Sequence, residues 1–156
     1  MIDTVKINSE NFSEFIALIR ELAGFEKLDP PDENAAERLR IHGLGNDPKY
    51  QGYLAYVDNK PVGYLIYFFT YSSFLGKPTL YIEDIFVKDK VRSQGVGSRI
   101  FGFCLEKAKE NSCGRMEWTA LRWNKKAHGF YGKWGAKKLS DWITFRMTED
   151  DIAKVK

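Results

Sequence analysis

Cysteine and histidine are scarce in this chain, with two of each among 156 residues. Neither Cys104 nor Cys113 belongs to a C-x-x-C pair or to any zinc-ligand spacing, which excludes a disulfide scaffold and leaves no metal site to expect. Cys104 lies among Phe101, Phe103 and Leu105 and reads as a small buried apolar residue rather than an acyl-carrying nucleophile. His42 and His128 fit no catalytic arrangement. Long apolar runs are missing as well. No segment approaches the ~20 residues of a membrane span, and no signal-peptide pattern follows Met1, so a reduced, cytoplasmic protein is expected. Charge of one sign is also in short supply. A net charge of +3 argues neither for a polyanionic partner nor for a membrane surface. Repeats, linkers and low-complexity stretches are absent, and the length suits a single domain spanning 1–156 with a sizeable core.

What is present is aromatic, at 15% of the residues, and strongly patterned. Thr4–Ile7 alternates like a strand. Ser9–Ala23 carries Phe12, Phe15, Ile16, Ile19 and Leu22 at helical spacing, and Asp32–His42 follows Pro30-Pro31 as a second helix stopped by Gly43 and Gly45. Tyr53–Val57 and Val62–Tyr71 form a hairpin across Asp58-Asn59-Lys60-Pro61, and Thr79–Val87 is a third strong strand. Gly97–Glu110 is amphipathic and helical, Met116–Leu121 a strand, Asn124–Trp134 a short helix capped by Asn124 and closed at Gly135, and Trp142–Met147 a last strand. The class is α/β, a mixed sheet flanked by helices, with the helix after the glycines crossing to a parallel neighbour.

The chemistry begins at "RSQGVGS", Arg92 to Ser98. A strand, a Gly-rich turn and a helix start together form an anion site, because the first helical N–H groups lack partners and glycine admits close approach. Arg92 adds a charge, and the Ser98 hydroxyl a donor. The P-loop pattern fails for want of Gly-Lys-Ser/Thr, and G-x-G-x-x-G fails because Ile100 replaces the third glycine. A tight turn into a helix would produce the same G-x-G. Three strands and two helices precede the strand that carries the loop, which also removes it from a dinucleotide fold.

The loop resembles the R/Q-x-x-G-x-G/A pyrophosphate loop of the GCN5-related N-acetyltransferases (GNAT), whose element order this chain follows. "FTYSSFLGKPTLYIEDIFV", "WNKKAHGFYGKWGA" and "IRELAGFEK" are similar to segments of the spermidine/spermine N1-acetyltransferase subgroup, which includes thialysine acetyltransferases. The resemblance implies the GNAT fold, with a mostly antiparallel sheet whose central strands splay, and acetyl-CoA as acetyl donor. It implies pantetheine along Ile85, Phe86 and Val87 and pyrophosphate on the amides of Ser93, Gln94, Gly95, Val96, Gly97 and Ser98, with Arg92 as a charge-assisted contact. Further cofactor contacts fall to Asn124, Lys125, Lys126 and Ala127. Tyr131 then protonates the departing thiolate. Glu83 faces the acceptor and takes its proton, while an edge-of-sheet salt bridge is the plainer reading of Asp84. On a strand the two carboxylates point to opposite faces, so at most one faces the pocket. Phe25, Glu26, Glu117, Trp118 and Thr119 complete the acceptor contacts.

The polyamine enzymes carry an Asp and a Trp where this chain has Ser72-Ser73-Phe74, which leaves a shorter diamine or a lysine-like amino acid equally open. Asp141 is a candidate for a compensating charge. The implied reaction is direct acetyl transfer, in a ternary complex, to a primary amine of a small cationic acceptor, within a homodimer. Protein lysines or N-termini are the alternative acceptors, and a CoA sensor without catalysis is a further reading. A single-stranded nucleic-acid module using "YLIYFFTY" as a stacking platform is disfavoured, since no RNP-type motif is present.

Overall fold

The computed structural model describes residues 1–155 as two compact units, Met1–Thr119 and the segment from Ala120 onward. In the first unit β1 (Ile2–Lys6), β2 (Gln51–Val57), β3 (Lys60–Ser72), β4 (Lys77–Val87) and β5 (Arg115–Trp118) form one five-stranded sheet in sequential order. The first four pair antiparallel, and β5 runs parallel to β4. The parallel step needs a crossover, which α3 (Val96–Glu110) supplies. The sheet is therefore mixed and mostly antiparallel, as expected.

Helix α1 (Phe12–Glu26) lays Phe12, Phe15, Ile16 and Leu18 against Tyr50, Leu54, Tyr64, Ile66 and Phe86 on one sheet face. It starts later than its apolar spacing suggests, because Asn8 and Asn11 tie residues 8–11 into a side-chain-bonded turn: Asn8 N–H donates to Asn11 Oδ1 (2.8 Å) and Asn11 N–H returns to Asn8 Oδ1 (3.1 Å). Helix α2 (Glu33–Leu44) begins where Asp32 accepts the Ala35 N–H at 2.7 Å. Leu65, Leu80 and Ile82 are buried with Ile100, Phe101 and Cys104 of α3, as alternation along the strands requires of the other face.

The β2–β3 turn is tighter than expected. Val57 pairs with Lys60, and Asp58 and Asn59 both take left-handed backbone angles, φ 49° and 59°. Strand β3 opens at Lys60. Its Tyr64 and Tyr67 are buried and out of reach of any stacked base, whereas Phe69 and Tyr71 of the same run are exposed.

In the second unit Asn124 caps α4 (Lys125–Lys133), accepting the Ala127 N–H at 3.2 Å, and Gly135 follows at φ 80°. The strand expected at Leu121 ends early, at Trp118; the Leu121 carbonyl accepts the Asn124 N–H (3.0 Å) and the His128 Nε2–H (3.0 Å) instead. The strand expected at Trp142–Met147 is not formed. These residues hold no regular structure, with Trp142, Ile143, Phe145 and Met147 exposed, because strand propensity without a neighbouring ladder leaves every backbone group to water. In its place α5 (Glu149–Lys154) closes the described residues on a reciprocal Thr148–Asp151 capping box. Among the described residues no helix is long and apolar enough to cross a membrane.

Candidate active site

Three features of the first unit meet at the C-terminal end of β4. The first is a gap. Parallel pairing with β5 runs from Thr79↔Arg115 to Ile82↔Trp118 and stops there, leaving Asp84–Val87 paired only with β3. Lys88 N–H donates to the Val62 carbonyl on β3 (2.8 Å). Strand alternation then turns the Phe86 N–H toward β3 and those of Ile85 and Val87 toward the open side. This is the splay expected from the sequence.

The second feature is a cradle for an anion. Ser93 and Gly95 both adopt left-handed backbone angles, φ 65° and 86°. Gly95 is the N-cap of α3 and brings no side-chain acceptor, and the first intrahelical bond is Arg99 N–H to Gly95 O (2.9 Å). The N–H groups of Val96, Gly97 and Ser98 therefore lie ahead of the helix ladder at its positive end. Gln94 turns its side chain back to the Lys90 carbonyl (3.2 Å), leaving its backbone to the loop. Arg92 is more occupied than expected. Its Nε donates to the Val87 carbonyl (2.9 Å), its guanidinium pairs with Asp89, and it lies 4.9 Å from the centre of the Phe25 ring.

The third feature is uncompensated negative charge. The β3–β4 register slips between Ile66 and Tyr67: Ile66 opposes Asp84, yet Tyr67 opposes Ile82. Glu83 is thus the extra residue of a β-bulge. The bulge breaks the alternation that would hold Glu83 and Asp84 on opposite faces. Glu83 is exposed, whereas Asp84 turns inward and accepts the Tyr64 hydroxyl at 3.1 Å. The salt bridge expected for Asp84 is absent: among the described residues none of Glu26, Glu83 and Asp84 forms an ion pair. Burial pushes the Asp84 carboxyl up to about 6, and the charges of Glu83 and Glu26 push the same way against the Tyr64 hydrogen bond. Burial also raises Glu26, at the end of α1. Desolvation first, then Asp84, Glu26 and Glu83, drive the Tyr64 phenol far above its ordinary range. A half-buried carboxylate with anionic neighbours and, among the described residues, no ion-pair partner is poised to take a cation.

The remaining expected residues are placed as follows. Glu117 bonds to Arg115 (3.3 Å), Trp118 stands edge-on to Phe101 with ring centres 5.4 Å apart, and Thr119 is exposed. In the Ser72-Ser73-Phe74 loop the Ser72 hydroxyl accepts the Leu75 N–H (3.2 Å), and Phe74 is fully exposed. In the second unit Lys125 and Lys126 are exposed and Ala127 is half-buried. The half-buried Tyr131 holds its ring edge-on to Phe130, and its carbonyl accepts the Ala136 N–H (3.2 Å). Asp141 lies exposed in the same unit. Sequence reasoning missed Tyr64, whose relation to Asp84 depends on strand register rather than on any motif.

Comparison with known proteins agrees with this geometry. The profile of the acetyltransferase (GNAT) family matches residues 12–136. The chain is 37% identical to thialysine N-epsilon-acetyltransferase of Bos taurus over 142 residues, covering 84% of this chain and 83% of the relative. It is 30% identical over 155 residues to the protein of the same name in Caenorhabditis elegans, covering 97% and 95%. The fold is similar to that of a solved aminoglycoside N-acetyltransferase in complex with CoA, with a TM-score of 0.77, 17% identity, and 94% and 95% coverage.

Proposed function

The chain belongs to the acetyltransferase (GNAT) family and is an N-acetyltransferase, and on that premise we propose that it moves the acetyl group of acetyl-CoA to the side-chain amine of a lysine-like amino acid or a short diamine. The observation that carries this reading is the pairing of an uncapped α3 N-terminus with the open half of β4, beside carboxylates that lack a cation. The left-handed angles at Ser93 and Gly95 and the free amides at Val96–Ser98 fit a pyrophosphate. Acetyl-CoA supplies an activated acetyl thioester, and everything else is asked of this chain's own residues.

In the proposed mechanism, Asp84 and Glu26 draw the acceptor's ammonium to the mouth of the gap. Glu83, exposed on its bulge, takes the proton that must leave nitrogen before its lone pair can attack. The N–H groups of Ile85 and Val87 on the open edge stabilise the negative charge that builds on the carbonyl oxygen. Carbon–nitrogen bond formation and carbon–sulfur cleavage leave a thiolate, to which the Tyr131 hydroxyl gives its proton. Asn124, Lys125, Lys126 and Ala127 bind the far end of the cofactor, and Phe25, Glu117, Trp118 and Thr119 shape the acceptor site. The identity of the acceptor rests on the similarity to thialysine acetyltransferases and on a Ser72-Ser73-Phe74 loop that has no acidic group for a long polyamine.

We assign the enzyme to the cytoplasm, on the strength of its two free thiols, and to a homodimer. An acetyl-transfer screen of the purified protein against L-lysine, thialysine, diamines, spermidine and lysine peptides, read as free CoA thiol, tests the reading. Preference for lysine-like amino acids or diamines is expected. Preference for peptides would replace the acceptor class.

A further inference from the structure

The loop that would hold the cofactor and the helix end that would meet the acceptor are fastened together. Lys88 and Arg92 flank the turn Asp89–Val91, and both reach α1: Lys88 Nζ lies 3.0 Å from Glu21 Oε1, and the Arg92 guanidinium lies over Phe25. Glu21 and Phe25 are four residues apart and so share one helix face. The ion pair is partly exposed and contributes little. The Arg92 contact is the more informative. Arg92 is about a third exposed, its Nε caps the Val87 carbonyl on the open edge of β4, and the next residues are the anion-binding amides. Directly after Phe25 comes Glu26, which feels Asp84 and the Tyr64 hydroxyl electrostatically.

We propose that Arg92 is a positioning residue that couples the two substrates: stacked on Phe25, it ties the last turn of α1, and with it Glu26, to the conformation of the cofactor loop, so that filling either site favours the other. The proposal rests on the reading of the α3 N-terminus as the pyrophosphate site and of Glu26 and Asp84 as the acceptor site. An occupied loop fixes the backbone from Arg92 to Ser98. That backbone sets where the guanidinium stands, and the guanidinium sets where Phe25 and Glu26 stand. Thermodynamic linkage makes the effect reciprocal, with one factor describing both directions.

The test is equilibrium binding of CoA with and without saturating L-lysine. In the wild-type enzyme L-lysine tightens CoA binding several-fold. Phe25→Leu, which keeps the bulk and removes the ring face, loses ~2–5-fold of that factor, the size of a partly exposed cation–π contact. Phe25→Trp retains the factor, and Arg92→Gln loses it as Phe25→Leu does. In turnover, Phe25→Leu raises the amine KM more at low acetyl-CoA than at saturating acetyl-CoA. A side chain that merely touches the acceptor would alter the affinity for L-lysine without altering the ratio of CoA affinities. An unchanged ratio in Phe25→Leu and Arg92→Gln, or a wild-type ratio of one, overturns the coupling and leaves the functional reading standing. Failure of the wild-type protein to bind CoA at all overturns that reading and the coupling with it.

Discussion

Replacing Asp84 by asparagine should change how stability responds to pH, in a direction opposite to that of an ordinary paired carboxylate. The side chain turns inward at the bulge, it accepts the neutral Tyr64 hydroxyl, and Glu83 and Glu26 are charged neighbours. Burial pushes the carboxyl from 3.8 up to about 6. The folded state therefore holds the proton more tightly than the unfolded chain. Its stabilising effect is complete below pH ~4, declines by at most ~1.4 kcal/mol per pH unit, and is gone once pH passes the folded value near 6. The full difference amounts to ~3 kcal/mol. Asparagine keeps an acceptor for Tyr64 and cannot ionise. Urea unfolding from pH 4 to pH 8 should find the two proteins close at the acid end, and Asp84→Asn more stable by up to ~3 kcal/mol above pH 7. Activity should move the other way, with a higher amine KM, because the charge that is costly to the free protein is the one the acceptor neutralises. Parallel stability curves for the two proteins would refute the reasoning, as would a variant less stable at pH 8.

Tyr131→Phe should lower kcat by ~10²-fold or more with CoA affinity nearly unchanged, measured by steady-state kinetics and calorimetry; unaltered turnover would remove Tyr131 as the acid. Gly95→Ala should cost ~1–2 kcal/mol at φ 86°, with no steric clash to blame since the added Cβ meets only Ile2 Cδ1 at 4.0 Å. Thermal unfolding reads that cost, and CoA affinity should fall with it. Sedimentation velocity at micromolar concentration should find a dimer, and a monomer would overturn the proposed homodimer. Glu83→Gln should depress kcat/KM most below pH ~10, where a lysine-like acceptor amine arrives protonated, and a pH-independent loss would make Glu83 a binding group rather than a base.

The elements were legible wherever local chemistry decides them. Phe12, Phe15, Ile16, Ile19 and Leu22 announced α1, and Asn124 marked the start of α4 as its side-chain cap. The loop at Arg92–Ser98 was legible because positive-φ glycine and an uncapped helix start are local facts. Register was not legible. The slip at Ile66/Tyr67 follows from how two strands meet, so the inward turn of Asp84 and its bond to Tyr64 left no trace in the spacing of "YIEDIFV". Trp142–Met147 has the composition of a strand, and composition does not supply a neighbour to pair with. The capping box at Thr148 and Asp151 was readable by rule, yet it sat behind that strand-like run.

The bulge at Glu83 behaves like a frameshift written into a strand. Upstream of it, Ile82 pairs with Tyr67 and belongs to the face covered by α3; downstream, Asp84 and Phe86 belong to the face covered by α1. An unbroken alternation would have placed Ile82, Asp84 and Phe86 on one side. One additional residue thus separates β4 into a half that packs under α3 and a half whose inward residues, Asp84 and Phe86, face α1. Substitutions in one half need not respect the parity of the other, so Glu83 and Asp84 can be exchanged while the Leu80–Ile82 packing stays as it is.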